Sequence, residues 1–546
     1  MAEKTAEIIN GKDYLSFFRR YADRTKNDAA AIRFMTEVTV KLEKETDSTS
    51  TVDGNVSSVS DGDNTLDVKS IAYRTKDTDV IEMWKQMREW FLNEEVVDKQ
   101  LSESPKIFPD YQNVTIPSQM APLHFRVEKE PGEVVAAIFS TDDGKSVTVQ
   151  ADDTEVCIGE GDWKNLITSA SRIEVQVVVR RGENNCGLKP FSIHVSPDSI
   201  DPYMAYRLIE PGYEQWYKMG IYQRCLSDYS QSPILENTVT GNNCMNCHNF
   251  CNRNAKQMML HLRAGKLGGT YVMQGDGLAK KLSIDVDSIK SLVYPAWHPS
   301  GKLIAFSTND THQGFHSSDR NRIEVYDQKS DVVVYDLASN HIFTSPLLSS
   351  QRSFETYPCF SPDGKRLYFC TADSVEMPRR YKDVKYSVCS IAFDAAHHAF
   401  GTEVDTLFSA HTTGKSAVMP RISPDGKWLV VTVADYGCFP IWHHEADLCI
   451  INLQTKECQP LSAANSRDTE SYHSWSSNGR WLVFGSRRVN GLYTMPYICH
   501  IDKNGKASKP FLLPQKSPDF YDKCLKSFNI PEFVKDKVEL KDIEKK

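Results

Sequence analysis

Between Ser291 and about Pro514, apolar and polar residues alternate in short runs, and one pattern returns four times. The copies read YPAWHPSGKLIAFST from Tyr294, YPCFSPDGKRLYFCT from Tyr357, MPRISPDGKWLVVTV from Met419 and YHSWSSNGRWLVFGS from Tyr472. Each puts an aromatic or aliphatic residue before a P-D-G-type hairpin turn and follows the turn with an alternating apolar strand. Further strand-like runs such as DVVVYDLAS and ADLCIINLQ come after the copies. Units of this size cannot bury a sheet face alone. The pattern therefore predicts a C-terminal β-propeller over 284–516, with four clear blades and four to seven in all.

The period is also two from Ile107 to about Pro197, where short β-branched runs are bounded by turn signals such as Asp143-Gly144, and a β-sandwich-like domain is expected over 107–197. Residues 1–106 instead carry helical spacing, with Tyr14, Phe17, Phe18 and Tyr21 on one face and Val80, Trp84, Met87 and Phe91 on another. The stretch 45–66 between them is rich in Ser, Thr, Asp and Gly and reads as a disordered linker. Residues 198–283 are expected to bridge sandwich and propeller, and 517–546 to form a strap ending in a charged tail. The fold class is thus mainly β.

Composition narrows the function. A chain of 546 residues is too long for one core, and 40% hydrophobic with 25% charged residues suits a globular protein. A net charge of −8 argues against a nucleic-acid partner. No apolar run approaches the roughly 20 residues that a transmembrane helix needs. No G-x-S-x-G nucleophile turn occurs, which leans the reading away from an enzyme.

The candidate chemistry lies in NNCMNCHNFC. Cys244-Met245-Asn246-Cys247-His248 has the C-x-x-C-H spacing by which two thiols take the vinyl groups of haem c and the adjacent imidazole takes the iron. His261 is the first candidate for the distal ligand, with Met258, Met259 and Met273 as rivals, and Arg263 could pair with a propionate. The same stretch, with Cys251 added, also suits a structural zinc site of Cys244, Cys247, His248 and Cys251. The two functions that follow are a haem c electron-transfer or redox-sensing module, and a protein-interaction scaffold pinned by zinc. In both, a protein partner docks on the propeller face.

The S-P-D-G-K repeat resembles the TolB-type β-propeller family over about 220 residues. The wider string IFPDYQNVTIP, IDPYMAYRLIEPGYEQW, NCMNCHNF and LHLRAGKLGGTYV is similar to Bacteroidetes envelope proteins that pair a cytochrome c-like C-x-x-C-H segment with such a propeller. That resemblance implies a periplasmic or outer-membrane-associated location, although MAEKTAEIINGKDYLSFFRR shows no apolar signal core.

Overall fold

The computed structural model describes residues 97–128, 132–210, 218–284, 286, 289 and 292–544. The helices expected within residues 1–96 and the linker 45–66 lie outside the described residues. What is described is mainly β, arranged in several separate sheets.

Each of the four repeat copies is a β-hairpin. Val293–Trp297 pairs with Leu303–Phe315, Ser353–Phe360 with Arg366–Asp373, Ser416–Ile422 with Trp428–Ala434, and Glu470–Trp475 with Trp481–Ser486, all antiparallel. The turn chemistry is local. In the second copy the Ser361 hydroxyl donates to Asp363 at 2.5 Å, and the Gly364 amide donates to the Ser361 carbonyl at 2.9 Å. Gly364 has φ +71°, and a Cβ there would lie 2.3 Å from His298 Nε2, so only glycine fits. Two more strands complete each hairpin to a four-stranded sheet.

Two further sheets follow the same plan in segments expected to be a bridge and a strap. Cys244–Phe250, Gln257–Arg263, Gly269–Gln274 and Leu278–Lys281 pair in that order, with Asp542–Ile543 added at the outer edge. Tyr203–Ile209, Gly220–Cys225 and Gln231–Glu236 form the other, headed by the distant strand Ser527–Val534. The six leading strands then touch in a closed cycle: Ser527–Val534, Cys244–Phe250, Val293–Trp297, Ser353–Phe360, Ser416–Ile422, Glu470–Trp475, and back to Ser527–Val534. The chain's last long strand closes the cycle.

Residues 99–196 form a seven-stranded sheet, a three-stranded sheet and the helix Glu160–Ile167. The period-two reading missed this helix, whose Trp163, Leu166 and Ile167 face inward. Trp163 is buried and donates to the Met120 carbonyl at 2.8 Å. Counting the six cycle sheets in chain order from that of Tyr203–Ile209, one core joins this region to the sixth, that of Glu470–Trp475, through Trp475, Trp481, Phe484 and Phe511. Asp198 fastens the same junction, accepting from His500 at 2.7 Å and Arg480 at 3.2 Å. No helix among the described residues is long and apolar enough to cross a membrane.

Because Ser527–Val534 pairs with Tyr203–Ile209 and completes the cycle of leading strands, removing residues 527–546 is expected to abolish the single cooperative thermal transition. Removing only 537–546 should lower Tm modestly. Calorimetry on both truncations checks this, and an unchanged transition in the longer truncation would refute the closing role.

Candidate functional site

The site is built by one defect repeated six times. Each leading strand carries a β-bulge at which the ladder skips two residues. The first of each pair has left-handed φ: Cys247 at 54°, Tyr294 at 47°, Tyr357 at 49°, Met419 at 57°, Tyr472 at 50° and Ile530 at 53°. Non-glycine residues pay about 1–3 kcal/mol each for that conformation, and a β-branched isoleucine is a clear outlier in it. Packing on the axis offsets the cost. All six residues line one small central cavity of about 50 Å³, and the Tyr294 and Tyr357 rings lie 4.3 Å apart. The second residue of each pair is Pro295, Pro358, Pro420 and Pro531 in four strands, and His248 and His473 in the other two. A position where the ladder is broken needs no N–H, so proline suits it.

This plug lies between two larger cavities and shares lining residues with each. On the side where the leading strands begin, a cavity of about 920 Å³ is lined by Arg207, Cys244, Cys247, His261, Arg263, Lys281, Phe439 and Trp442, among others. On the side where they end, a cavity of about 500 Å³ is ringed by the repeat turns.

Four of the five residues singled out in the sequence therefore share one wall. Pairing of adjacent strands sets Cys244 opposite Arg263 and Asn246 opposite His261. His248 is turned instead into the small axial cavity, 1% exposed, and neither ring nitrogen makes a hydrogen bond of ordinary geometry. Burial, with Arg207 nearby, pushes its pKa down to about 3, against a weaker pull from the Ile530 backbone. Cys251 lies beyond the strand in a 3-10 turn, its thiol toward the His298 carbonyl and packed with Met259 and Trp297. Met258 and Met273 are buried in the core between the first two sheets.

Two expectations are corrected by this geometry. The zinc set Cys244, Cys247, His248 and Cys251 is not gathered, and among the described residues no group of three or more His, Cys, Asp or Glu could hold a metal ion. For haem, Cys244–Phe250 is an extended strand, so the Cα atoms of Cys244 and Cys247 stand roughly 10 Å apart at about 3.3 Å per residue. His248, the proposed iron ligand, faces a cavity too small for a porphyrin.

Sequence reasoning missed the charge of the larger cavity. Arg207, Arg263 and Lys281 line it with no carboxylate at ion-pair distance among the described residues. Arg207 is buried and donates to Asn246 Oδ1 at 2.6 Å and to the Met245 carbonyl at 3.3 Å; Lys281 donates to the Lys266 carbonyl at 3.2 Å. Of the two acids in the lining, Glu210 pairs with Lys526 at 3.2 Å and Asp310 with His312 at 3.5 Å. An arginine inside the apolar strand YMAYRLI was a readable signal, since a charged residue is seldom buried without purpose.

His261 has one assigned tautomer. Its Nδ1 lies 3.0 Å from Thr270 Oγ1, whose own proton goes to the Leu292 carbonyl at 3.1 Å. Nδ1 is therefore the donor and Nε2 carries a lone pair. Burial, then Arg263, lowers its pKa to about 4, so the ring is neutral at pH 7. The wall offers both cations and a neutral acceptor.

No family model matches the chain, and no curated protein matches it. Among solved structures it is similar to a puromycin-hydrolysing peptidase of Mycobacterium tuberculosis, at 10% identity and TM-score 0.33, over 74% of this chain and 57% of that one. It is similar to Porphyromonas gingivalis dipeptidyl peptidase 4 at 10% identity and TM-score 0.29, over 75% and 59%. It is also similar to a thermostable family-43 glycoside hydrolase at 10% identity and TM-score 0.29, over 48% and 92%. The chain spans less than two thirds of the length of either peptidase. The resemblance to TolB-type proteins with a C-x-x-C-H segment is corrected accordingly, because the matching structures are hydrolases of other kinds. The cytochrome c, electron-transfer and redox-sensing reading and the zinc-pinned scaffold are corrected by the geometry of the cysteine segment given above.

Since four of the six bulges already hold proline at this place, His248→Pro is expected to fold with a stability loss within about 1 kcal/mol, against the ~3 kcal/mol of an ordinary strand or helix interior. Chemical denaturation measures it; a loss above about 3 kcal/mol would refute the equivalence. The native His248 stays neutral while its unfolded counterpart takes a proton below pH 6.5. Wild type should therefore lose up to about 1.4 kcal/mol per pH unit more than the variant as pH falls from 6.5 toward 4. Equal pH slopes for the two proteins would refute the buried neutral imidazole.

Proposed function

We propose that the six sheets are blades of a six-bladed β-propeller closed by Ser527–Val534, and that its larger axial cavity binds a small carboxylate-bearing ligand of the short-peptide class. One observation carries the reading: Arg207, Arg263 and Lys281, with no carboxylate at ion-pair distance among the described residues, converge on a cavity that also presents the neutral acceptor His261. A volume of about 920 Å³ suits a ligand of a few residues.

The chemistry assigns an end to each part of such a ligand. A guanidinium takes a carboxylate through two parallel N–H bonds, so Arg263, with Lys281 beside the same cavity, receives the free carboxylate. Nε2 of His261 accepts from an amide or ammonium N–H. Phe439, Ile441 and Trp442 supply an apolar wall for a side chain. None of these groups requires a metal or a covalent step, so binding is the reading offered.

A fluorescently labelled tripeptide with a free C-terminus is expected to bind saturably, and C-terminal amidation should weaken it at least about tenfold. Arg263→Gln, at an exposed position, should weaken the acid by a similar factor and leave the amide unchanged. Equal affinity for acid and amide, or no saturable binding of either, would overturn the proposal. Mass spectrometry of the recovered peptide shows whether it is only bound or is also cut.

A further inference from the structure

The repeat turns that carry the sequence pattern play no part in the cavity just described; they build the opposite mouth. Five residues past each bulge stand Pro299, Pro362, Pro424, Ser477, Asn252 and Lys535, one per leading strand, and all six line the cavity of about 500 Å³. Inside this rim, two residues past each bulge, the same tier holds Arg421 and Glu532 among small side chains. Arg253 lies beside them, donating through Nε to the Trp475 carbonyl at 2.7 Å, while the Trp475 indole donates to the Arg421 carbonyl at 3.0 Å.

Charge does not balance in this mouth. Arg421 donates only to the Pro420 carbonyl at 3.1 Å, and neither it, Arg253 nor Lys535 has a carboxylate within 4.0 Å among the described residues. The one acid in the lining, Glu532, spends Oε1 on Asn249 at 2.9 Å and on the Phe250 amide at 3.3 Å. Its Oε2 is buried with no partner. Three cationic groups thus face one carboxyl, which burial pushes up to about 7. Two guanidiniums, Arg253 on the 3-10 turn Cys251–Arg253 and Arg421 on the strand Ser416–Ile422, each with N–H groups left over, match an oxyanion whose charge is spread over several oxygens.

We propose that this mouth is a second, independent ligand site that takes a dianionic oxyanion group, such as a phosphate monoester, between Arg253 and Arg421 with Lys535 at the rim. Proline and tryptophan around the opening pack against the uncharged remainder of such a ligand. The site does not depend on the peptide-class reading of the opposite cavity.

Inorganic phosphate is the probe. Titrated into the full chain at constant ionic strength, with potassium chloride as the matched control, it is expected to raise Tm saturably and to broaden its own ³¹P resonance. Arg421→Gln should move the midpoint at least about tenfold higher, and Lys535→Gln, at an exposed position, about threefold higher. Arg263→Gln at the other mouth should leave the midpoint where it is. A response no larger than that to chloride overturns the proposal, as does a wild-type midpoint in Arg421→Gln. If Arg421→Gln does not fold, an unchanged midpoint in Lys535→Gln overturns it equally.

Discussion

A single backbone defect, repeated six times, holds this molecule's centre together. At each bulge two residues leave the ladder, and the first turns its side chain onto the axis in a left-handed conformation. Six such conformations would be costly in isolation. They persist because Cys247, Tyr294, Tyr357, Met419, Tyr472 and Ile530 pack on one another, so each strand's strain is offset by contacts that the other five provide. Ring closure by the chain's last long strand is part of the same bargain: without Ser527–Val534 the Ile530 wedge and one wall are missing.

That arrangement gives the C-x-x-C-H spacing of Cys244–His248 a structural explanation. Cys247-His248-Asn249-Phe250 occupies the position of Tyr294-Pro295-Ala296-Trp297 and of Met419-Pro420-Arg421-Ile422 in neighbouring strands. The imidazole stands where other strands carry proline, and Cys247 where they carry tyrosine or methionine. A second histidine, His473, does the same in the sixth sheet, where burial likewise lowers its pKa to about 3. Cys247 and His248 thus meet the backbone demand of the bulge, as proline, tyrosine and methionine do elsewhere in the ring.

Electrostatics divide the axis in a way that the whole-chain charge hides. A net charge of −8 is a sum over the whole chain, yet both mouths concentrate arginine and lysine that have no carboxylate at ion-pair distance among the described residues. Charges lining a concave, low-dielectric wall act on a ligand more strongly than the same charges scattered over the exterior. The plug of six axial side chains separates the two basic chambers.

What could be read without coordinates was local. Serine, proline, aspartate and glycine at fixed offsets dictate the four hairpin turns, because the hydrogen bonds of such a turn close within a few residues, as at Ser361, Asp363 and Gly364. Alternation likewise revealed the strands of residues 107–197, though it passed over the helix Glu160–Ile167, whose three inward residues make too short a stripe to stand out. Cys244, Cys247, His261 and Arg263 were noticed as a group and do line one cavity. Arg207, Lys281 and Lys535 went unread because their neighbours come from strands far away in sequence. The first two sheets fell within the expected four to seven blades, but their strands were not placed for the same reason: Cys247 reads as a haem thiol and Ile530 as an ordinary strand residue until ring closure sets them beside Tyr294 and Tyr472. Local turn chemistry is written in consecutive residues, whereas register across a closed ring is decided only when all six strands are present.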